Sequence, residues 1–459
     1  MGLKIGGQIE KVNGKELSYS DFGDKYLARN EPVVLTGLME DWRACHDWVS
    51  DSGKPNLDFL STHFGNSKVQ YQVADCRTRK LTDQKRVEMS VSDFVGQWGD
   101  DIKGNALLYL KDWHFVKEYL DYNAYNAPLF FRDDWLNFYL DNYHMHTHPD
   151  PINEISCSDY RFVYMGAKGT WTPLHADVFR SYSWSANVCG RKKWYFLSPS
   201  QHTFVFDRYM KNSVYDIFEE VNEKIFPHFK KAIWWECTQE ENEIIFVPSG
   251  WFHQVLNLDD AISINHNWFN AYNLPWVWDL LLRDYKEAKE YIEDIKDICD
   301  DFEGLCQRNL ATNTGMNFYD FFIFLVRMAF ANLVQLYVLS RNNINSEEKR
   351  VQHLVFNFQS IRTVALKMKS ASCEMNQYTT VDFSLLRKEQ EFKQLCTSIW
   401  KTYDTLHDQG SENYNVNEVL LGIDENFLST SSWCINSPEN LISLVDFALD
   451  KLGECDGCS

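Results

Sequence analysis

The chain has 459 residues, 44% of them hydrophobic and 24% charged, which is typical of a globular protein of two or three domains and excludes a disordered or fibrous one. Its formal net charge of −20 argues against direct binding to nucleic acid and favours a basic protein partner. Twelve cysteines, together with an N-terminal "MGLKIGGQIEKV" that lacks the apolar core of a secretory signal, indicate reduced thiols, so we expect a cytoplasmic location, with the nucleus as the alternative.

The N-terminal third alternates short apolar runs with helix-like pieces. "EPVVLTGL" (31–38) predicts a strand that enters a turn, with Val33, Val34 and Leu35 buried. "NALLYLKDW" (105–113) predicts another strand. We interpret residues 1–145 as an N-terminal α/β region that elaborates the domain after it.

The middle of the chain is rich in predicted strands. Runs such as "SYSWSANVCGRKKWYFL" and "NEIIFVPSGWFHQVLNL" are separated by Gly- and Pro-containing turns between residues 155 and 272. Many short strands with such turns predict a sandwich or barrel. We assign this barrel domain to residues 146–275.

The C-terminal part is predicted to be helical, over residues 276–459. "WVWDLLLRDYKEAKEYIEDIKDICDDF" (276–302) has apolar positions three and four apart, the pattern of an amphipathic helix. Helix-like text continues to about residue 450, interrupted at "ATNTG", "RNNINSEEKR" and "ASCEMNQYTT". A barrel followed by helices places the chain in the α+β class.

One apolar stretch, residues 318–339, is long enough to cross a bilayer, but Asp320 and Arg327 interrupt it. We therefore predict a helix buried within the protein or packed against a second subunit, and no membrane partner. The C-terminal helices have two interpretations: a homodimer surface, or a cover over the barrel that shapes a substrate groove.

A metal site is indicated by "TPLHADVF" (172–179). In an extended segment, residues two apart point the same way, so His175 and Asp177 can reach one point in space. His253, in "VPSGWFHQVLNL", heads a later strand and is the best third ligand. Two histidines and one carboxylate form the facial triad of non-haem Fe(II) oxygenases, which leaves coordination positions open for a substrate and dioxygen.

A lysine in the apolar strand "CGRKKWYFL" needs an anion if it points inward. The dicarboxylate 2-oxoglutarate would supply that anion while chelating the iron, and either Lys192 or Lys193 could hold its far carboxylate. Further polar side chains able to contact it are Thr172, Tyr109, Asn265 and Asn267. Each of these also has a plain interpretation as a surface or cross-strand contact.

Three motifs, in this order, resemble the jumonji-C (JmjC) family of Fe(II)- and 2-oxoglutarate-dependent oxygenases: "TPLHAD", "GRKKWYFLSP" and "EIIFVPSGWFHQVLNL". "NEPVVLTGLMEDWRACHDW" is similar to the N-terminal entry region of that family. The resemblance covers about residues 8–272. It implies a double-stranded β-helix, the jelly-roll or cupin-like barrel.

The resemblance also implies the role of each site residue. His175, Asp177 and His253 match the iron ligands, and Lys192 matches the co-substrate lysine because it follows Gly190 at the family's offset, with Lys193 as the alternative. Thr172, Tyr109 and Asn267 match further co-substrate contacts. Ser185 departs from the pattern, because related members often have Asn there, and this puts the secondary contacts in doubt but not the triad.

Within the family, the chain is most similar to a lysyl-hydroxylase branch with a long helical C-terminal region. That similarity implies C4-hydroxylation of a lysine in the NIKS motif of the eukaryotic translation release factor, coupled to decarboxylation of 2-oxoglutarate to succinate and CO2. The implied cofactors are Fe(II), 2-oxoglutarate and O2, with ascorbate as reductant. The implied partner is the release factor.

Three alternatives stay open. A JmjC lysine demethylase would look identical at the iron, although Asp as the carboxylate ligand and the lack of a visible histone-reading module favour hydroxylation. A barrel that serves only as a binding scaffold is the second alternative. The third is a zinc site in "HMHTH", with His144, His146 and His148 on one strand face.

Overall fold

The computed structural model describes residues 2–80, 83–98, 106–145, 159–341, 348–371, 378–407, 415–424, 426–428 and 434–456. Two compact units divide the chain. The first comprises Met1–Phe130 and Asp159–Asn267, and the second comprises Phe131–Ser158 and Trp268–Ser459. The sequence-based division at residues 145 and 275 stays a prediction.

The first unit contains nearly all of the strands. They are β1 (Lys4–Gln8), β2 (Lys11–Asn13), β3 (Val33–Thr36), β4 (Lys68–Lys80), β5 (Asp83–Ser90), β6 (Leu108–Trp113), β7 (Arg161–Gly166), β8 (Trp171–His175), β9 (Tyr182–Cys189), β10 (Lys192–Leu197), β11 (Ile233–Gln239), β12 (Ile244–Val247), β13 (Phe252–Asn257) and β14 (Ala261–Trp268). Its short helices are α1 (Tyr19–Phe22), α2 (Arg43–Asp47), α3 (Leu57–Phe64), α4 (Val91–Gly96) and α5 (Phe115–Glu118).

Two sheets build the barrel. One has five strands in the order β1-β11-β10-β13-β8, and the other has nine in the order β2-β3-β12-β9-β14-β7-β6-β4-β5. Val34 and Ile245 of the nine-stranded sheet share a buried apolar cluster with Trp194, Phe196 and Val255 of the five-stranded sheet. This cluster fills one part of the space between the two sheets. Polar residues from the inner faces of both sheets line a pocket.

The second unit is helical. It contains α6 (Trp135–Leu140), α7 (Leu274–Tyr291), α8 (Phe302–Thr314), α9 (Phe318–Arg341), α10 (Glu348–Ala371), α11 (Phe383–Leu386), α12 (Gln390–Leu406), α13 (Val416–Gly422), α14 (Pro438–Asp456) and a two-stranded sheet of β15 (Val381–Asp382) and β16 (Cys434–Ile435). The α+β class and the helical C-terminal region are confirmed. The strands predicted at 31–38 and 105–113 correspond to β3 and β6.

The predicted helix over 276–302 is too long. The α-helix ends at Tyr291, and a 3-10 turn follows at Glu293–Ile298. Tyr291 is 86% exposed and Ile298 is 82% exposed. Because helices in proteins are held mainly by burying an apolar face, a segment whose apolar residues face solvent does not extend the helix.

Helix α9 contains the apolar stretch seen in the sequence. It is the one helix in the described part of the chain that is long and apolar enough to cross a membrane, and 78% of its most apolar window is buried inside the protein. Asn332 in this helix is buried and hydrogen-bonded to the backbone carbonyl of Met328 and the amide of Asn357. Within the helical unit α9 is therefore a core helix, as the interrupting polar residues predict.

Candidate iron and co-substrate site

The two histidines of the predicted triad meet across neighbouring strands. β8 and β13 pair antiparallel with His175 directly opposite His253, and the centroids of the two imidazole rings are 4.3 Å apart. Asp177 lies two residues beyond His175, just past the end of β8. One potential ligand atom from each of the three residues lies within 4.8 Å of the others, close enough to surround a single ion.

Backbone contacts orient both rings. His175 Nδ1 lies 2.8 Å from the carbonyl oxygen of Pro173, and His253 Nδ1 lies 3.2 Å from that of Trp251. A ring that donates its Nδ1–H to a carbonyl keeps Nε2 free as a metal ligand. Burial, followed by the nearby charge of His175, lowers the pKa of His253 to about 4, so this ring is neutral at pH 7, the form that binds metal.

The carboxylate of Asp177 is held by the next strand. Ser183, near the start of β9, donates its hydroxyl to Asp177 Oδ2 at 2.7 Å. Between them, Phe179 and Arg180 have positive φ angles of 55° and 51°, so the chain reverses through two consecutive left-handed residues. Such a turn is costly for residues with a side chain and is found where function requires it. Phe179 is buried and packs edge-on against Tyr160.

The donor set fits Fe(II). Two imidazoles and one carboxylate, brought together on one side, match the facial arrangement of non-haem iron oxygenases. Among the described residues, His175, Asp177 and His253 are the group of His, Cys, Asp or Glu side chains arranged closely enough to hold a metal. His144 is exposed, and His146 and His148 lie outside the described residues, so the zinc alternative stays untested.

The register of β10 separates the two candidate lysines. Lys192 is 2% exposed and points into the barrel, where its Nζ donates to Ser263 Oγ at 2.6 Å and lies 3.4 Å from the phenol oxygen of Tyr109. Lys193 points outward and forms an ion pair with Glu236 at 3.0 Å. Lys192, and not Lys193, is therefore the lysine that faces the interior.

Lys192 has the environment of an anion-binding group. No described carboxylate lies within ion-pair distance of it, and burial lowers its pKa to about 7. A buried ammonium without a counter-ion is costly, and a bound carboxylate would remove that cost. The interior of the barrel therefore fits the dianion 2-oxoglutarate beside the metal ligands.

The other predicted residues line the same pocket as the triad. Its walls come from both sheets, and the lining side chains include Tyr109, Thr172, Lys192, Asn265 and Asn267 together with His175, Asp177 and His253. Asn265 donates to Ser263 Oγ at 3.1 Å, and Asn267 donates to Ser181 Oγ at 3.2 Å. Ser185, where the sequence departs from the family pattern, also lines the pocket, and its buried hydroxyl has no hydrogen-bond partner among the described residues.

Sequence reasoning missed a group of residues next to this pocket. Tyr164 lines it, and its hydroxyl donates to Asp112 Oδ1 at 2.5 Å. Lys111 is buried beside the ring of Tyr109. One signal was present, since Lys111 lies two residues after Tyr109 and so shares its strand face. No signal in the sequence pointed to Asp112, because the position of its side chain depends on a bulge in β6.

Comparisons with known proteins give one matching family model and several relatives. The model of the cupin-like domain family matches residues 19–273. Arginine-specific demethylase JMJ20 of Arabidopsis thaliana is 56% identical over 97% of each chain. The 2-oxoglutarate and iron-dependent oxygenase JMJD4 is 35% identical in Danio rerio, over 86% of this chain and 90% of the relative, and 36% identical in Homo sapiens, over 70% and 75%.

Proposed function

The chain belongs to the cupin-like JmjC family of 2-oxoglutarate- and iron-dependent oxygenases, and within that family we propose that it is a protein lysyl hydroxylase. The proposed substrate is the lysine of the NIKS motif in the eukaryotic translation release factor, hydroxylated at C4. The observation that carries the proposal is a partly exposed carboxylate that is hydrogen-bonded to Tyr164 of the pocket wall. This carboxylate would receive the cationic end of a lysine side chain.

That carboxylate belongs to Asp112. A bulge in the β6–β7 pairing places two residues, Lys111 and Asp112, opposite the single residue Tyr164, and bulges of this kind re-aim side chains next to active sites. Asp112 has a left-handed φ of 56°. Strained backbone of this kind clusters at functional sites, and Asp112 contacts Tyr164, which lines the pocket.

The carboxylate of Asp112 is available to a ligand. Its side chain is 39% exposed, and its second oxygen lies 3.5 Å from Arg86 Nη1, a long contact. The other oxygen accepts a hydrogen bond from the half-buried Tyr164, which lines the pocket of the triad. This geometry supports a cationic substrate, and a lysyl ammonium is such a cation.

Different residues of the pocket would bind the metal, bind the co-substrate and exclude water. His175, Asp177 and His253 would hold Fe(II), and Lys192 would hold the anionic end of 2-oxoglutarate. When bound, Fe(II), 2-oxoglutarate and O2 supply the oxidising chemistry, which yields succinate and CO2. The protein orients the substrate carbon and keeps water out, with Trp184 and Trp194 among the pocket walls.

The experiment is the intact mass of the release factor after incubation with Fe(II), 2-oxoglutarate, ascorbate and either the wild type or the variant His175→Ala. We expect a gain of one oxygen atom with the wild type only, on the NIKS lysine. Asp112→Asn should lower kcat/KM by about tenfold, since a charge-assisted contact to the substrate is lost.

A matched control is Asp83→Asn. Asp83 lies 3.2 Å from the same Arg86, and no hydrogen bond links it to Tyr164, so this variant should keep the wild-type kcat/KM. An unchanged release-factor mass after incubation with the wild type would exclude the release factor as the substrate. If Asp112→Asn and Asp83→Asn lowered kcat/KM equally, Asp112 would not be the residue that binds the substrate cation.

A second candidate is demethylation of a methylated arginine in a protein. It is favoured by the 56% identity to a relative named as an arginine-specific demethylase, and Asp112 suits a guanidinium as well as an ammonium. Methylarginyl peptides that lose a methyl group with release of formaldehyde would support it. A non-catalytic scaffold would form no succinate with either substrate.

The location and assembly of the protein are proposals as well. A release-factor substrate implies a cytoplasmic site of action, with the nucleus as the alternative, and a net charge of −20 favours basic protein partners over nucleic acid. A homodimer formed through the C-terminal helices is the proposed assembly.

A further inference from the structure

A second buried lysine lies beside the co-substrate end of the pocket. Lys111 is 3% exposed and lies on β6, two residues after Tyr109. Its Nζ is 5.2 Å from the centroid of the Tyr109 ring, and the hydroxyl of that ring is 3.4 Å from Lys192 Nζ. Two interior ammonium groups therefore approach one phenol.

Lys111 has no carboxylate at ion-pair distance among the described residues. Its Nζ donates to Gln84 Oε1 at 2.8 Å. Gln84 is itself 2% exposed, on β5. A neutral amide does not repay the cost of burying a charge, so a lysine kept in this position calls for another explanation.

Gln84 connects Lys111 to the strand that carries the metal ligand. Its Nε2 donates to the carbonyl oxygen of Trp171 at 3.0 Å, the residue before Thr172. Cys76 also contacts the backbone of Trp171. Its Sγ atom lies 3.5 Å from the backbone nitrogen and 3.5 Å from the carbonyl oxygen of Trp171. The Lys111–Gln84 pair thus fixes the start of β8.

We propose that Lys111 is a positioning residue for 2-oxoglutarate: its charge favours the dianion in the pocket, and its contacts orient Tyr109 and, through Gln84, the segment that presents Thr172. This inference depends on the co-substrate alone and holds for any protein substrate. Lys111 would be a second cation that favours binding of 2-oxoglutarate, in addition to Lys192, which lines the pocket directly.

The charges around Lys111 support a protonated side chain at neutral pH. Burial lowers its pKa to about 8, and the charge of Arg86 also lowers it, whereas the carboxylates of Asp83 and Asp112 raise it. The charge of Lys111 in turn lowers the pKa of Lys192. The two ammonium groups repel each other until an anion binds, so a dianion gains from both.

The test is equilibrium binding of 2-oxoglutarate to the full-length protein loaded with Mn(II), which needs no turnover. Lys111→Met should raise the Kd by at least about tenfold, because a positive charge beside the pocket is lost and an anion there is attracted less strongly. Lys111→Arg should restore most of the affinity because it restores the charge. With a protein substrate, KM for 2-oxoglutarate should rise more than kcat falls.

The pH profile separates charge from packing. The affinity of the wild type for 2-oxoglutarate should decrease as the pH rises from 7 to 9. In Lys111→Met the decrease near the upper end of this pH range should be smaller. Lys193→Met is the matched control, because Lys193 neighbours Lys192 on β10 but points outward and pairs with Glu236, and this variant should bind 2-oxoglutarate like the wild type.

Two results would overturn the proposal. One is an unchanged Kd in Lys111→Met with an unchanged melting temperature. The other is a loss of affinity that Lys111→Arg does not restore and that accompanies an equal fall in the melting temperature of both variants without ligand, because that pattern belongs to a residue needed only for folding.

Discussion

At the scale of single residues, the site depends on which atom of each side chain is left free. The Nδ1 atoms of His175 and His253 are hydrogen-bonded to backbone carbonyls. One carboxylate oxygen of Asp177 accepts a hydrogen bond from Ser183. The remaining atoms converge on one point. Hydrogen bonds behind the ligands therefore decide the geometry of the metal site.

The bond from Ser183 to Asp177 can be tested by itself. Ser183→Ala should weaken Fe(II) or Co(II) binding by roughly tenfold, since partners behind a ligand contribute at least this much. Metal titration of the apoprotein measures it. Ser185→Ala is the matched control, because this hydroxyl lies two residues along the same strand and has no hydrogen-bond partner in the described part of the chain. Equal metal affinity in the two variants would contradict a role for the Ser183 hydroxyl.

The sequence was informative for the residues that touch the pocket and less so for those behind it. The spacing of His175 and Asp177 predicts their common direction, and a His at a strand start predicts the third ligand. The choice between Lys192 and Lys193 stayed open until β10 showed which one faces inward. Lys111, Gln84 and Asp112 are joined by contacts between distant segments and a bulge, which no local pattern encodes.

At the scale of elements, strand pairing brings the ligands together. The β8–β13 register sets His175 opposite His253, and β10 lies on the other side of β13 with Phe196 opposite His253. A shift of one residue in either pair would turn the site residues to the outer face. The turn before β10 therefore matters for the direction of Lys192.

Gly190 in that turn is a test of the register. Its φ is 75°, and a Cβ there would lie 2.2 Å from the carbonyl oxygen of Asp260. Gly190→Ala should lower the free energy of unfolding by at least about 2 kcal/mol, because the left-handed conformation and the backbone clash both oppose a side chain. Chemical denaturation measures this loss.

Gly96→Ala is the control for that substitution. A Cβ at Gly96 meets nothing within 4 Å, and its φ is not left-handed, so the variant should be neutral or slightly more stable. If Gly190→Ala were as stable as Gly96→Ala, the β9–β10 turn would not constrain β10 in the way described.

At the scale of the whole molecule, buried and half-buried histidines link stability to pH in both units. In the barrel, burial lowers the pKa of His253 to about 4 and that of His266 well below its usual value. In the helical unit, burial and then the charge of His353 lower the pKa of His407 to about 3. All three histidines are neutral in the folded protein and protonate more readily when it unfolds.

The sign of the pH effect follows from these shifts. A lowered folded-state pKa means that the unfolded chain binds more protons below about pH 6.5, so the free energy of unfolding of the metal-free protein should fall from pH 6.5 towards pH 4. His407→Gln should reduce the slope by up to about 1.4 kcal/mol per pH unit, the value for one proton. Denaturation at a series of pH values measures it.

His144→Gln is the control for the pH series, because His144 is exposed and its replacement should leave the slope unchanged. His407 Nε2 lies 3.0 Å from His353 Nδ1, so Gln, which keeps a polar group, is the gentler replacement. A slope that is equal in wild type and His407→Gln would contradict the assignment of a proton to this ring.

The sequence by itself determined the class of fold and the order of strands and helices, and it predicted the three candidate metal ligands that the structure brings together, because alternation, turn residues and spacing are properties of neighbouring positions. The tertiary structure alone decided which lysine faces inward, where α7 ends, and which buried groups stand behind the pocket. The physical reason is that these features depend on strand register, on bulges and on the burial of a surface, and each of these is set by residues far away in the chain.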